Sequence, residues 1–179
     1  MKKNNYVKKI TFPALFLAIA YVLPFFTGQI QQIGNMLCPM HIPVLVCGFV
    51  CGAPWGLMVG ILAPILRSVM LGMPPMFPTA FCMALELGVY GGIAGFLHRK
   101  FPKKKIFVYI SLIMAMIGGR VIWGIAMFIS MYVVGGQFTI DVFLAGAITN
   151  AIPGIILQIV LVPVLVVLVE KNTKSIFEN

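Results

Sequence analysis

Two arginines and one glutamate, Arg67, Arg120 and Glu86, lie inside long apolar runs of a chain whose other charges fall between such runs or near its ends. A charged side chain at mid-bilayer costs about 2.5–3.5 kcal/mol on insertion scales, so groups of this kind face the protein interior and take partners there. By depth, Arg67 and Glu86 are placed to meet, and two cations against one anion leave a formal +1 that suits a carboxylate or an electron-rich polar group. Arg120 is flanked by Gly118, Gly119 and Gly124, which permit close approach of a helix or a ligand. Asn150 adds a polar group at similar depth, followed by Pro153 and Gly154, which loosen a helix and free carbonyls. Trp123, Tyr90, Phe77 and Tyr132 offer ring faces for stacking, although packing and interface anchoring are the commoner roles of membrane aromatics.

No catalytic constellation accompanies these charges. His98 falls in a basic link, and His41 stands at a helix end without an evident nucleophile. Neither a Ser/His dyad, paired carboxylates, a Walker motif nor a dinucleotide fingerprint occurs, so no catalytic residue and no cofactor are expected, and ATP hydrolysis has to happen elsewhere. Cys47 and Cys51, one helical turn apart, could join His41 on a soft metal. The four cysteines, Cys38, Cys47, Cys51 and Cys82, nevertheless lack disulfide-framework or zinc spacing and are expected to be small apolar thiols, with no metal site.

The elements that position these residues follow from hydropathy. Of 179 residues, 61% are hydrophobic and 9% charged, against roughly 45–50% and about 25% in soluble domains. Apolar runs of 18 or more residues recur, each able to cross a hydrocarbon core of about 30 Å as a helix. The net charge of +9 sits in short clusters between runs, as topology signals do, which excludes a nucleic-acid partner. The expected fold is all-α and integral to the membrane: one domain, residues 1–179, with six transmembrane helices and membrane lipid as its surroundings.

The six spans are about Pro13–Thr27, Ile42–Cys51, Trp55–Leu71, Thr79–Leu97, Ile106–Val134 and Asp141–Val169. The first is expected to be a retained helix rather than a cleaved signal, because no polar mature domain follows it. The second is short, and is expected to be partly sheltered by its neighbours. Gly52-Ala53-Pro54 makes a tight helical hairpin, and the three prolines in 72–78 stop a helix and give a loop expected to pack onto the protein. Lys and Arg mark cytoplasmic loops. Of 13, 4 lie at the N-terminus, 5 in the link 98–105 and 2 at the C-terminus, which six spans with both termini cytoplasmic satisfy.

Ala14 and Ala18 form a small-xxx-small face on the first span, and Gly56 with Gly60 and Gly91 with Gly95 share the spacing. With this alanine face, six spans in under 200 residues, and the stretches from His41 to Phe49, Arg67 to Thr79 and Asn150 to Gln158, the chain resembles the substrate-binding S components of energy-coupling factor transporters over nearly its whole length. The resemblance implies a high-affinity vitamin-binding subunit in a bacterial plasma membrane. Its implied partners are a transmembrane coupling protein, which Ala14 and Ala18 would contact, and two cytoplasmic ATPases. Substrate would lie beneath the outer loops among residues of the later helices, giving Arg67, Glu86, Arg120, Asn150, Trp123, Tyr90, Phe77 and His41 as the substrate-binding set, and transport would proceed by toppling of the whole subunit. Met1-Lys2-Lys3 lacks the Met-x-His type start of the cobalt and nickel members. The arginine-rich site with aromatics nearby favours a vitamin B6 vitamer or pantothenate. The alternatives are a small membrane enzyme acting on a lipid or isoprenoid phosphate through His41, Glu86 and the arginines, and an assembly subunit whose buried charges are structural.

Overall fold

The computed structural model describes residues 2–27, 37–102, 104–136, 139–147 and 151–177. Helix α1 spans Lys2–Val22 and tightens into a 3-10 turn over Leu23–Thr27. Next come α2, His41–Cys51, and α3, Ala53–Leu71. A π-type turn over Met76–Ala80 leads into α4, Phe81–Lys100, which is followed by α5, Lys105–Val134. The last two are α6, Ile140–Ala147, and α7, Ile152–Phe177. Among the described residues there is no strand.

Among the described residues, five stretches are long and apolar enough to cross a membrane: Lys9–Phe26, Ala53–Leu71, Met76–Lys100, Lys105–Val134 and Ile152–Lys171. The expected second span is the exception. At 11 residues α2 rises about 16 Å, roughly half of a hydrocarbon core. Every one of its residues is buried, among α1, α3, α4 and α7, so it meets protein on all sides rather than lipid. That goes beyond the partial shelter expected from its length.

Contacts fix how the helices run. The Arg67 guanidinium donates to the Tyr21 carbonyl, joining the late parts of α1 and α3. The Arg99 guanidinium donates to the Cys51 carbonyl at 3.0 Å, setting the end of α4 at the end of α2. His98 meets Glu170, which brings the late part of α7 to the same end. The lysine-bearing starts of α1 and α5 and the ends of α4 and α7 therefore share one end of the bundle.

Two boundaries differ from expectation. The run expected as one span from Asp141 to Val169 is divided into the short α6 and the long α7. α6 packs on α5, where the Trp123 and Phe143 rings stack with centroids 6.1 Å apart. His98 is not part of the basic link: α4 continues to Lys100 and buries it. The turn at Met76–Ala80 packs on α3, α4 and α5, as expected of this loop, while Met73, Met76 and Phe77 keep large exposed surfaces. Apolar side chains at a lipid boundary have hydrocarbon neighbours and gain little by burial.

The core is closed by backbone contact among α2, α3 and α4. A Cβ added at Gly48, Gly56, Gly60, Gly91 or Gly95 would fall inside 3.0 Å of backbone atoms of a neighbouring helix, Gly48 and Gly56 both meeting the Gly91 carbonyl. Without a hydrophobic drive between helices in lipid, such close packing of small residues is what holds them together. Gly91→Ala is expected to cost about 1–3 kcal/mol by overpacking and to lower the thermal unfolding midpoint in detergent. Gly92→Ala, whose Cβ would touch only the Leu57 side chain at 3.7 Å, should leave the midpoint unchanged or raise it.

Candidate functional site

The buried charges gather where α2, α4 and α5 meet. Glu86 is fourteen residues before Lys100 on α4, and Arg120 fifteen after Lys105 on α5, so antiparallel helices joined by a short link bring them to one depth. Arg120 Nη1 lies 3.1 Å from Glu86 Oε1. His41, the first residue of α2, places Nε2 at 3.5 Å from the same oxygen. Tyr90, one turn beyond Glu86, meets the His41 ring edge-on with centroids 5.1 Å apart. Gly119 makes room for it: a Cβ there would stand 3.2 Å from the Tyr90 ring and 3.1 Å from the Glu86 carbonyl. Glu86 and His41 are 2% and 3% exposed, while the Arg120 side chain keeps 16%. The cluster is thus sealed on the α2 and α4 sides and least covered at Arg120, whose Nη2 also reaches Cys38 Sγ at 3.8 Å.

The ion pair is close without being aligned as a hydrogen bond. Glu86 Oε1, Arg120 Nε and both ring nitrogens of His41 are buried, with no hydrogen-bond partner among the described residues. A buried polar atom without any partner costs about 1–3 kcal/mol; Arg120 Nε and His41 Nδ1 are in that condition among the described residues, while Glu86 Oε1 and His41 Nε2 have only their contacts at 3.1 and 3.5 Å. Molecules that carry both donors and acceptors can satisfy such a set.

The other expected site residues divide. Tyr90 and His41 join Glu86 and Arg120, but Arg67 does not. It is buried on the opposite flank, donating to the Tyr21 carbonyl at 3.3 Å with its guanidinium 5.5 Å from the Phe25 ring centroid. The tertiary reason lies in α1. In its terminal 3-10 turn the N–H that would reach the Tyr21 carbonyl belongs to position 24, and Pro24 has none, which leaves an acceptor for Arg67. The expected meeting of Arg67 with Glu86 is therefore replaced by one between Glu86 and Arg120. Trp123 is engaged with Phe143 of α6. Phe77 is 49% exposed and packs near Phe81, and Tyr132 is exposed as well. Asn150 lies outside the described residues. Ala14 and Ala18 are exposed on α1, away from its buried Phe16 and Ala20.

A second buried polar pair was missed in the sequence. His98 Nε2 lies 2.6 Å from Glu170 Oε1, and Phe49 stands edge-on to the His98 ring at 5.1 Å. The signal was available: Glu86, Tyr90, Ala94 and His98 recur every fourth residue, so His98 continues the buried face of α4.

A protein-family model described as ECF transporter, substrate-specific component, matches residues 8–166. Comparison with curated proteins found no match, and comparison with solved structures found none either.

Because Arg120 and Glu86 neutralise each other in a buried place, removing one should be worse than removing both. Glu86→Ala is expected to destabilise by about 3 kcal/mol, the low end for a broken buried pair. The double variant Glu86→Leu with Arg120→Met should unfold at a higher temperature than Glu86→Ala in the same detergent; the reverse order would show that Arg120 left without Glu86 carries no penalty.

Proposed function

This chain belongs to the family of ECF transporter substrate-specific components, and we propose that it is the membrane subunit that captures a small vitamin or related micronutrient for an energy-coupling factor importer, with a vitamin B6 vitamer or pantothenate as its substrate. The observation that carries the proposal is the cluster of buried polar atoms on Glu86, Arg120 and His41 whose hydrogen-bonding capacity the described residues leave unfilled. In a purely structural ion pair these groups would satisfy one another. A ligand that brings its own donors and acceptors recovers the cost of leaving them open, and does so only when the right molecule is present.

The lysine-rich end of the bundle is the cytoplasmic one by the positive-inside rule, with both termini there and the cluster entered from the outer side past Arg120. The half-depth α2 supports this route, because its first residue, His41, stands at the level of Glu86. Docking on the transmembrane coupling protein uses the α1 face that carries Ala14 and Ala18, where exposed small side chains let another helix approach closely. Two cytoplasmic ATPases supply the energy, and the assembly works in a bacterial plasma membrane.

Mass spectrometry of the small molecule that co-purifies with the chain, followed by calorimetry with a vitamin panel, tests the function. Binding without turnover is the expected result; conversion of a lipid phosphate in the absence of vitamin binding would sink the proposal. Arg120→Lys keeps the charge and loses the guanidinium fork, and should weaken vitamin binding about tenfold, or about 1.4 kcal/mol, with the thermal midpoint little changed. Ala14→Trp should bind normally yet fail to assemble with the coupling protein and fail to support uptake in cells.

A further inference from the structure

Resting on the vitamin capture proposed above and choosing between its two candidate substrates, we infer that the Glu86–Arg120–His41 cluster selects a ring ligand with no net charge that presents a hydrogen-bond donor and an acceptor along one edge, and that it discriminates against anions, which favours a vitamin B6 vitamer over pantothenate.

Charge comes first. A site holding both arginines against one glutamate would carry +1 and attract a carboxylate, but Arg67 is committed to the Tyr21 carbonyl and the Phe25 ring on the α1 side. What remains around the open polar atoms is one carboxylate and one guanidinium 3.1 Å apart, a neutral pair. An incoming anion would share Arg120 with Glu86 at close range, and two negative groups in a low-dielectric site repel strongly. The unit that selects against it is Glu86 itself.

Hydrogen-bonding capacity points the same way. Glu86 Oε1 accepts and Arg120 Nε donates, and neither is in a hydrogen bond among the described residues, Glu86 Oε1 having only its ion contacts to Arg120 and His41. Because they belong to one ion pair, a single ligand edge with a donor beside an acceptor can serve both. His41 adds two buried ring nitrogens that form no hydrogen bond among the described residues, at least one of them a donor. The Tyr90 ring against His41 gives the site an aromatic wall suited to a flat ligand. A dipolar heteroaromatic ring such as a hydroxypyridine meets all of these demands, whereas an aliphatic carboxylate meets only that of Arg120.

The test is calorimetry on the purified full chain with vitamins grouped by charge: neutral pyridoxine and riboflavin, anionic pantothenate and biotin, and cationic thiamine. A neutral ring vitamin is expected to bind at least tenfold more tightly than either anion. Glu86→Gln should weaken the neutral ligand at least tenfold and tighten at least one of the anions, because the carboxylate that repels them and competes for Arg120 is gone. Tighter binding of an anion or of thiamine by the unmodified protein overturns the inference and leaves the capture of a vitamin standing, as does the failure of both anions to gain affinity in Glu86→Gln. Binding of no vitamin in the panel removes both. Should Glu86→Gln fail to fold, the order of affinities in the unmodified protein decides alone.

Discussion

Inside a bundle surrounded by hydrocarbon a buried polar group gains most from meeting another helix, and here a single ridge of α4 supplies several of those meetings. Cys82, Glu86, Tyr90, Ala94 and His98 recur at every fourth residue and are all buried. Cys82 meets Ser130 of α5, Glu86 meets Arg120 of α5 and His41 of α2, and His98 meets Glu170 of α7. One face of one helix therefore ties three neighbours to α4, and each tie is a polar contact that lipid cannot replace. The small Ala94 sits between the two halves of the ridge, leaving the Glu86 cluster and the His98 pair as separate sites at different depths.

The short α2 depends on the same helix. It spans about half of the hydrocarbon thickness and has no lipid-facing side, so both of its ends lie within protein. Arg99 donates to the Cys51 carbonyl at its last turn, a cation where the helix dipole is negative, and the Glu86 carboxylate lies beside its first residue, where the dipole is positive. Gly52, with φ of +98°, makes the turn out of α2, and a side chain there would collide with the Arg99 guanidinium. Close packing of Gly48 against Gly91 is what allows α2 to lie near enough to α4 for both contacts to form. The position of His41 in the cluster is thus a consequence of glycines one to several turns away.

Small-residue motifs illustrate how spacing leaves a role open. Gly56 with Gly60, and Gly91 with Gly95, are consumed within the bundle at backbone contacts. Ala14 and Ala18 have the same spacing and stay exposed, available to a partner helix. The periodicity of the three pairs is identical, and only burial distinguishes an internal contact from a surface.

Hydropathy alone determined that the chain is a helical membrane protein and where most of its long helices run, because the cost of exposing peptide groups to hydrocarbon leaves an apolar run of this length little choice. It also identified Glu86 and Arg120, since isolated charges in such runs are too costly to lie idle. Tertiary structure decided how the charges pair. Arg67 and Glu86 are near in depth, yet Arg67 turns to α1 because Pro24 leaves a carbonyl open there, a choice that no spacing within α3 or α4 encodes. It also decided that α2 is enclosed and that His98 is buried. Both depend on which faces meet across helices distant in sequence, whereas hydropathy measures only what each segment prefers by itself.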